Sequence, residues 1–261
     1  MSQDQNPYQK SELKLMKGAE SIFHKRGPVG CLMLHGYSTH PYGLAEMAQT
    51  IADHGMTVSV PRLAGHGTTP DDMDRTGWED WLISGEEALL ELREHCTHIF
   101  MGGHSLGATL AMELALKYPD DYRGLIFAGP MMDMGLVAGL ALPVLKRVLR
   151  YMPDPPDKYK IPGSDVVLKY GLISTRATHS YCLGLIELQT KVHLIKKPVL
   201  IVHSWRDELA RPRNAFWLYR HIGSEDKELL WVRHSDHSYL DRRDKAVYLP
   251  KIIEFLTRHG P

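Results

Sequence analysis

The chain has 261 residues, and its 31 Lys and Arg balance 31 Asp and Glu at a pI near 7.3, which excludes the one-sided basic charge of a nucleic-acid binder. Hydrophobic residues at 43%, charged residues at 24% and a mean hydropathy of −0.27 describe an ordinary folded domain and exclude disordered, collagen-like and coiled-coil chains. A chain of this length buries enough surface to fold as one large domain without a disulfide or a structural metal.

Three cysteines, Cys31, Cys96 and Cys182, are an odd number without a ligand spacing, as expected of free thiols in a reducing compartment. Residues Met1 to Pro7 lack a basic stretch followed by an apolar run, so a cytoplasmic address is expected. The longest apolar stretch, Met134 to Leu145, is broken by Gly135, Gly139 and Pro143 and is too short to span a bilayer. Transient contact with a membrane surface stays open.

In chain order, Leu13 to His24 reads as an edge hairpin. Short apolar runs at Val29 to Leu34, Thr57 to Val60, His98 to Met101, Gly124 to Ala128, Pro198 to His203 and Glu228 to Val232 read as strands. Several are apolar throughout, as parallel strands covered on both faces must be. Amphipathic helices are predicted between them at Gly43 to His54, Trp78 to His95, Leu106 to Tyr118 and Asn214 to His221, and a last one near Pro250 to Thr257. The alternation predicts a mostly parallel sheet with helices on both faces. Residues 131–192 interrupt it and read as an insertion between core parts 1–130 and 193–261. It opens with a helix carrying Leu136, Leu140, Val144 and Val148 at helical spacing, and closes with a second helix around Ser180 to Gln189.

The string Gly102-Gly103-His104-Ser105-Leu106-Gly107 runs from a strand into a helix through Gly-x-Ser-x-Gly. Gly and Ser often form a plain loop, but a strand before and a helix after are the context in which the turn exposes a serine nucleophile. A base and a carboxylate should follow in the order acid, then His. Asp207 lies just past the strand ending at His203, with Glu208 beside it. His237 lies in the loop after Val232, with His234 as the competing imidazole. Position favours Asp207 and His237. Two backbone N–H groups must meet the oxyanion, and Leu106 and Tyr37, the latter after His35-Gly36, are the candidates. His35 is read as ordering its loop. The stripe Leu136 and Leu140 either packs the insertion onto the core or lines an acyl channel.

These motifs, with Pro61-Arg62-Leu63-Ala64-Gly65-His66-Gly67 and Trp78-Glu79-Asp80-Trp81, resemble those of α/β-hydrolase-fold carboxylesterases, most closely the bacterial monoacylglycerol lipases. The resemblance spans nearly the whole chain and is weakest over 131–192. It implies the α/β-hydrolase fold with a helical cap, the triad Ser105, Asp207 and His237, an oxyanion hole at Tyr37 and Leu106, and hydrolysis of short- to medium-chain esters. Ile173 falls where that family carries an acidic cap residue for the glycerol head group.

No HExxH is present, and Asp71 to Asp74 lacks the spacing of a calcium loop and reads as a solvated acidic turn, so neither metal nor cofactor is expected. The expected partner is a small ester or lipid substrate, the expected state a monomer or homodimer. Thioester or amide cleavage on the same triad, or a non-catalytic binding protein of this fold, are the alternatives.

Overall fold

The computed structural model describes residues 14–154, 161, 163–239 and 241–261, without the side chains of 136–138. Seven strands form one sheet: β1 (Ile22–His24), β2 (Val29–Leu34), β3 (Thr57–Val60), β4 (His98–His104), β5 (Leu125–Ala128), β8 (Val199–Ser204) and β9 (Lys227–Val232). Their spatial order is β1-β3-β2-β4-β5-β8-β9, and only β1 runs antiparallel to its neighbour. The expected hairpin is a single edge strand, since β1 pairs with β3 rather than with the strand that follows it; Leu13 lies outside the described residues.

The strands are apolar throughout because each side chain finds a helix. Leu32, Leu34, Leu125 and Phe127 pack with α3 (Trp78–Arg93), α4 (Leu106–Lys117) and α7 (Arg213–His221). The alternate residues Cys31, Met33 and Ile126 pack with α1 (Ala45–Asp53) and α8 (Arg242–His259) on the other face. A period of two along each strand therefore feeds two cores.

Two elements depart from expectation. The last helix begins at Arg242, capped by the Asp241 side chain on the Arg243 N–H at 2.9 Å, and carries Pro250 inside it. Asp71 to Asp74 belong to a short helix, α2 (Pro70–Asp74), entered through Thr69, whose hydroxyl accepts from the Asp72 N–H. Asp74 is no solvated turn residue: it is buried and accepts from Ser174 Oγ at 2.6 Å and Arg150 Nε at 2.9 Å.

Between β5 and β8 the chain forms α5 (Leu136–Val148), a two-stranded antiparallel pair of β6 (Tyr151–Pro153) and β7 (Leu172–Ser174), and α6 (Thr175–Gln189). The two helices lie where helical spacing placed them, α6 starting five residues earlier than Ser180, whereas the strand pair has too few residues to leave a periodic signal. No helix among the described residues is long and apolar enough to cross a membrane.

Candidate active site

β4 delivers Ser105 to the C-terminal edge of the sheet. The chain turns there so sharply that Ser105 takes φ 54°, a left-handed conformation that costs a side-chain-bearing residue energy. Its glycines are required: a Cβ on Gly103 would lie 2.3 Å from the Leu34 carbonyl, and one on Gly107 1.8 Å from it. The Ser105 N–H donates to the Ala128 carbonyl at 3.0 Å, tying the turn to the end of β5.

Asp207 and His237 arrive from the loops after β8 and β9. His237 Nε2 is 2.8 Å from Ser105 Oγ, and its Nδ1 is 2.7 Å from Asp207 Oδ2. A proton on Nδ1 satisfies both contacts, leaving Nε2 to accept from the serine hydroxyl. All three side chains are buried. The other Asp207 oxygen accepts the N–H groups of Leu209 at 3.0 Å and Ala210 at 2.7 Å, which fixes the carboxylate plane. Burial raises the Asp207 pKa, but the hydrogen bond and charge of His237, joined by His203 and the Ala210 N–H, outweigh it and hold the carboxyl below its ordinary value. The competing residues, Glu208 and His234, are exposed.

Leu106 opens α4, so its N–H has no partner within the helix and points toward the elbow end. Tyr37 is held from both sides. Its ring packs on Trp81 and Tyr181 with centroids 5.6 and 5.8 Å away, and its hydroxyl bonds Thr178 Oγ1 at 3.0 Å in the intervening segment. Gly36 lets this loop press against the elbow, since a Cβ there would meet His104 Nδ1 at 3.0 Å. His35 orders the loop, with Nδ1 bonding the Gly36 carbonyl and Nε2 accepting from the Leu63 N–H at 3.1 Å. Burial drives its pKa well below the usual value, so it stays neutral.

A cavity of about 240 Å³ opens onto Ser105 and His237. Its apolar wall includes Met131, Met134, Met152, Leu168 and Ile173. Among the described residues, no cluster of three or more His, Cys, Asp or Glu could hold a metal ion.

A profile of the family described as serine aminopeptidase, S33, matches residues 29–244. The chain belongs to that family. This S33 protein is 32% identical to the thermostable monoacylglycerol lipase of Bacillus sp. (strain H-257) over 94% of its own length and 97% of the relative's. It is 22% identical to a carboxylesterase of Bacillus subtilis (strain 168), over 90% and 94% of the two chains. Among solved structures, one described with the metagenome-derived lipolytic enzymes LipS and LipT superposes with a TM-score of 0.88 at 30% identity, covering 94% of this chain and all of that one. A soluble variant of the Saccharomyces cerevisiae monoglyceride lipase shares the fold at 18% identity, with a TM-score of 0.77 over 92% of this chain and 91% of that one.

The S33 cavity corrects one expectation from the sequence. Leu140 does not line it: the side chain is 71% exposed, as are Val144 at 60% and Val148 at 75%, whereas Leu142 on the same helix is buried. The Leu136 side chain lies outside those described. Wall residues that were missed include Met152, Leu168 and Tyr181, which come from a three-residue strand, from irregular chain and from a helix whose inner face periodicity alone does not mark. His104 was missed as well, although it stands inside the motif. Its Nε2–H donates to the His237 carbonyl at 2.7 Å, and burial lowers its pKa to about 3, so it remains a neutral donor.

Proposed function

We propose that this chain is a serine hydrolase cleaving carboxylic esters through an acyl-enzyme, with Ser105 as nucleophile, His237 as base and Asp207 as the carboxylate that orients it. The observation that carries this reading is the unbroken hydrogen-bonded path from Ser105 Oγ through His237 to Asp207. Relatives described as a monoacylglycerol lipase and a carboxylesterase support it.

His237 Nε2 takes the Ser105 proton as Oγ attacks the ester carbonyl, and the N–H groups of Tyr37 and Leu106 receive the developing oxyanion. Asp207 stabilises the imidazolium, which then protonates the leaving alcohol. Water repeats the sequence to free the acid. Residues 131–192 act as a cap whose inner side, Met131, Met134, Met152 and Ile173, takes up a short- to medium-length acyl chain, monoacylglycerols included. Each methylene buried there adds up to about 0.8 kcal/mol.

The test is hydrolysis of p-nitrophenyl butyrate together with covalent labelling by a fluorophosphonate. Wild-type protein is labelled once, at Ser105. Ser105→Ala and His237→Ala each lose about a thousandfold or more in kcat while keeping their melting temperature; His234→Ala loses little. Turnover by folded Ser105→Ala, or an unlabelled wild type, overturns the assignment and leaves a binding protein of this fold.

A further inference from the structure

The base in this site is carried by a loop, and a loop has many conformations from which one must be chosen. His237 sits in the stretch from Arg233 to Tyr239, between β9 and α8. Asp244, the third residue of α8, is only 2% exposed and aims its carboxylate back at the start of that stretch. Three successive backbone N–H groups converge on it: Arg233 donates to Oδ1 at 3.3 Å, and His234 and Ser235 donate to Oδ2 at 2.9 and 2.5 Å. A buried carboxylate is costly unless its lone pairs are filled, and charge-assisted bonds of this kind are about twice as strong as neutral ones. The position at the start of a helix adds the favourable end of the helix dipole.

Further along, the Asp236 carboxylate accepts the Ser238 N–H at 2.8 Å and Asp207 holds the His237 ring, while neutral groups hold the remaining carbonyls. Ser204 Oγ donates to the Ser235 carbonyl at 2.5 Å, His104 to the His237 carbonyl, and Tyr248 to the Tyr239 carbonyl at 3.0 Å. The hydroxyl of Tyr239 accepts from the Ser204 N–H at 2.9 Å. Tyr239 itself takes φ 56°, so this conformation is imposed on the chain by its surroundings. The Asp244 clamp closes on the Ser235 N–H, two residues before His237, where a small rotation of the backbone swings the imidazole across the elbow.

We propose that Asp244 is a second positioning residue for the catalytic base, acting on its backbone as Asp207 acts on its ring: its carboxylate clamps the amides of Arg233, His234 and Ser235 and thereby helps to set the 2.8 Å approach of His237 to Ser105. The inference rests on the role given to His237 above. Asp244 acts only through the loop and touches neither substrate nor the reacting atoms.

Asp244→Asn keeps the volume but removes the charge and turns an N–H donor toward the converging amides. Misplacement by about 1 Å is enough to cost about a hundredfold in rate. The expected result on p-nitrophenyl butyrate is a kcat lowered about ten- to a hundredfold with KM within twofold, matched by an equal drop in the rate of fluorophosphonate labelling. Native near-UV circular dichroism should be retained. Asp244→Glu, which restores the charge, should recover part of the lost kcat. Unchanged kcat in Asp244→Asn, a loss confined to KM, equal losses in the Asn and Glu variants, or failure of the isosteric Asn variant to fold would each overturn the proposal. Turnover by Ser105→Ala in the same assay would instead sink the underlying reading of the site, so the two failures are distinguishable.

Discussion

At Ser105, a positive φ survives because two residues without side chains let β2, the turn and α4 close on one another. Gly107→Ala would drive a Cβ to 1.8 Å from the Leu34 carbonyl, too close for any side-chain adjustment to relieve. It is expected to abolish turnover and to lower the melting temperature strongly. Gly139→Ala in α5 is the control, since nothing lies within 4 Å of its new methyl and helix propensity favours it by about 0.5–1 kcal/mol. A folded, active Gly107→Ala would show that the turn tolerates a side chain. The serine was legible because its geometry is local, written in five consecutive residues. Asp207 and His237 were legible because each follows a strand, where parallel sheets gather their loops. His104 and Asp244 were not, because what they do depends on which loops meet, and spacing along the chain carries no record of that.

Among the elements, the apolar runs were legible as strands because burial on both faces leaves no position for a charge. β4 runs three residues past the predicted end, through Gly102 and Gly103, which read as turn formers. A Cβ on Gly102 would approach the Ile126 carbonyl at 2.2 Å, so the glycine serves strand packing there. The start of α8 was hidden by its charged first turn and Pro250, although its cap, Asp241, was in plain view. The α5 stripe shows the limit of periodicity, which tells that Leu140, Val144 and Val148 share a face but not whether anything covers it. Leu140→Lys is therefore expected to leave hydrolysis of acetate and octanoate esters alike unchanged. Ile173→Asp, at the cavity wall, should depress kcat/KM on the octanoate at least tenfold more than on the acetate. Equal effects on the two esters in Ile173→Asp would detach the cavity from acyl binding.

For the whole molecule, the buried histidines set an acid limit. Burial lowers His66 to about 4 and His104 to about 3, and pushes His35 well below its ordinary value, while in the unfolded chain each titrates near 6.5. Below pH 6.5 the unfolded state takes up protons that the native state refuses, so stability is intact above that pH and falls as acid is added. At pH 5, His66 and His104 should each remove about 2 kcal/mol. Calorimetry should show a melting temperature nearly constant between pH 8 and 7 that drops steeply from 6.5 to 5, with uptake of about two or more protons on unfolding at pH 5. A flat profile would contradict neutral burial. The number of histidines was plain in the sequence, but their burial was not, since a lone His reads alike inside and out.

The direct pairing of β5 with β8 has a further consequence. Leu125 faces Val199 and Ala128 faces Val202 in register, and the Gly129 N–H bonds the Val202 carbonyl at 2.9 Å, so in this parallel pair the intervening chain leaves at the end of β5 beside Ser105 and re-enters at the opposite end of the sheet, at the start of β8. The Gln189 side chain bonds the Met132 carbonyl, drawing its two ends together. On the way the chain lays α6 against α3 and α4, with Tyr181, Leu185 and Leu188 buried in the core they share, so the crossover is also a supporting wall of the molecule. A change in that helix is thus carried to Tyr37 through Thr178 and Tyr181, and cannot reshape the cavity wall without touching the loop beside the nucleophile.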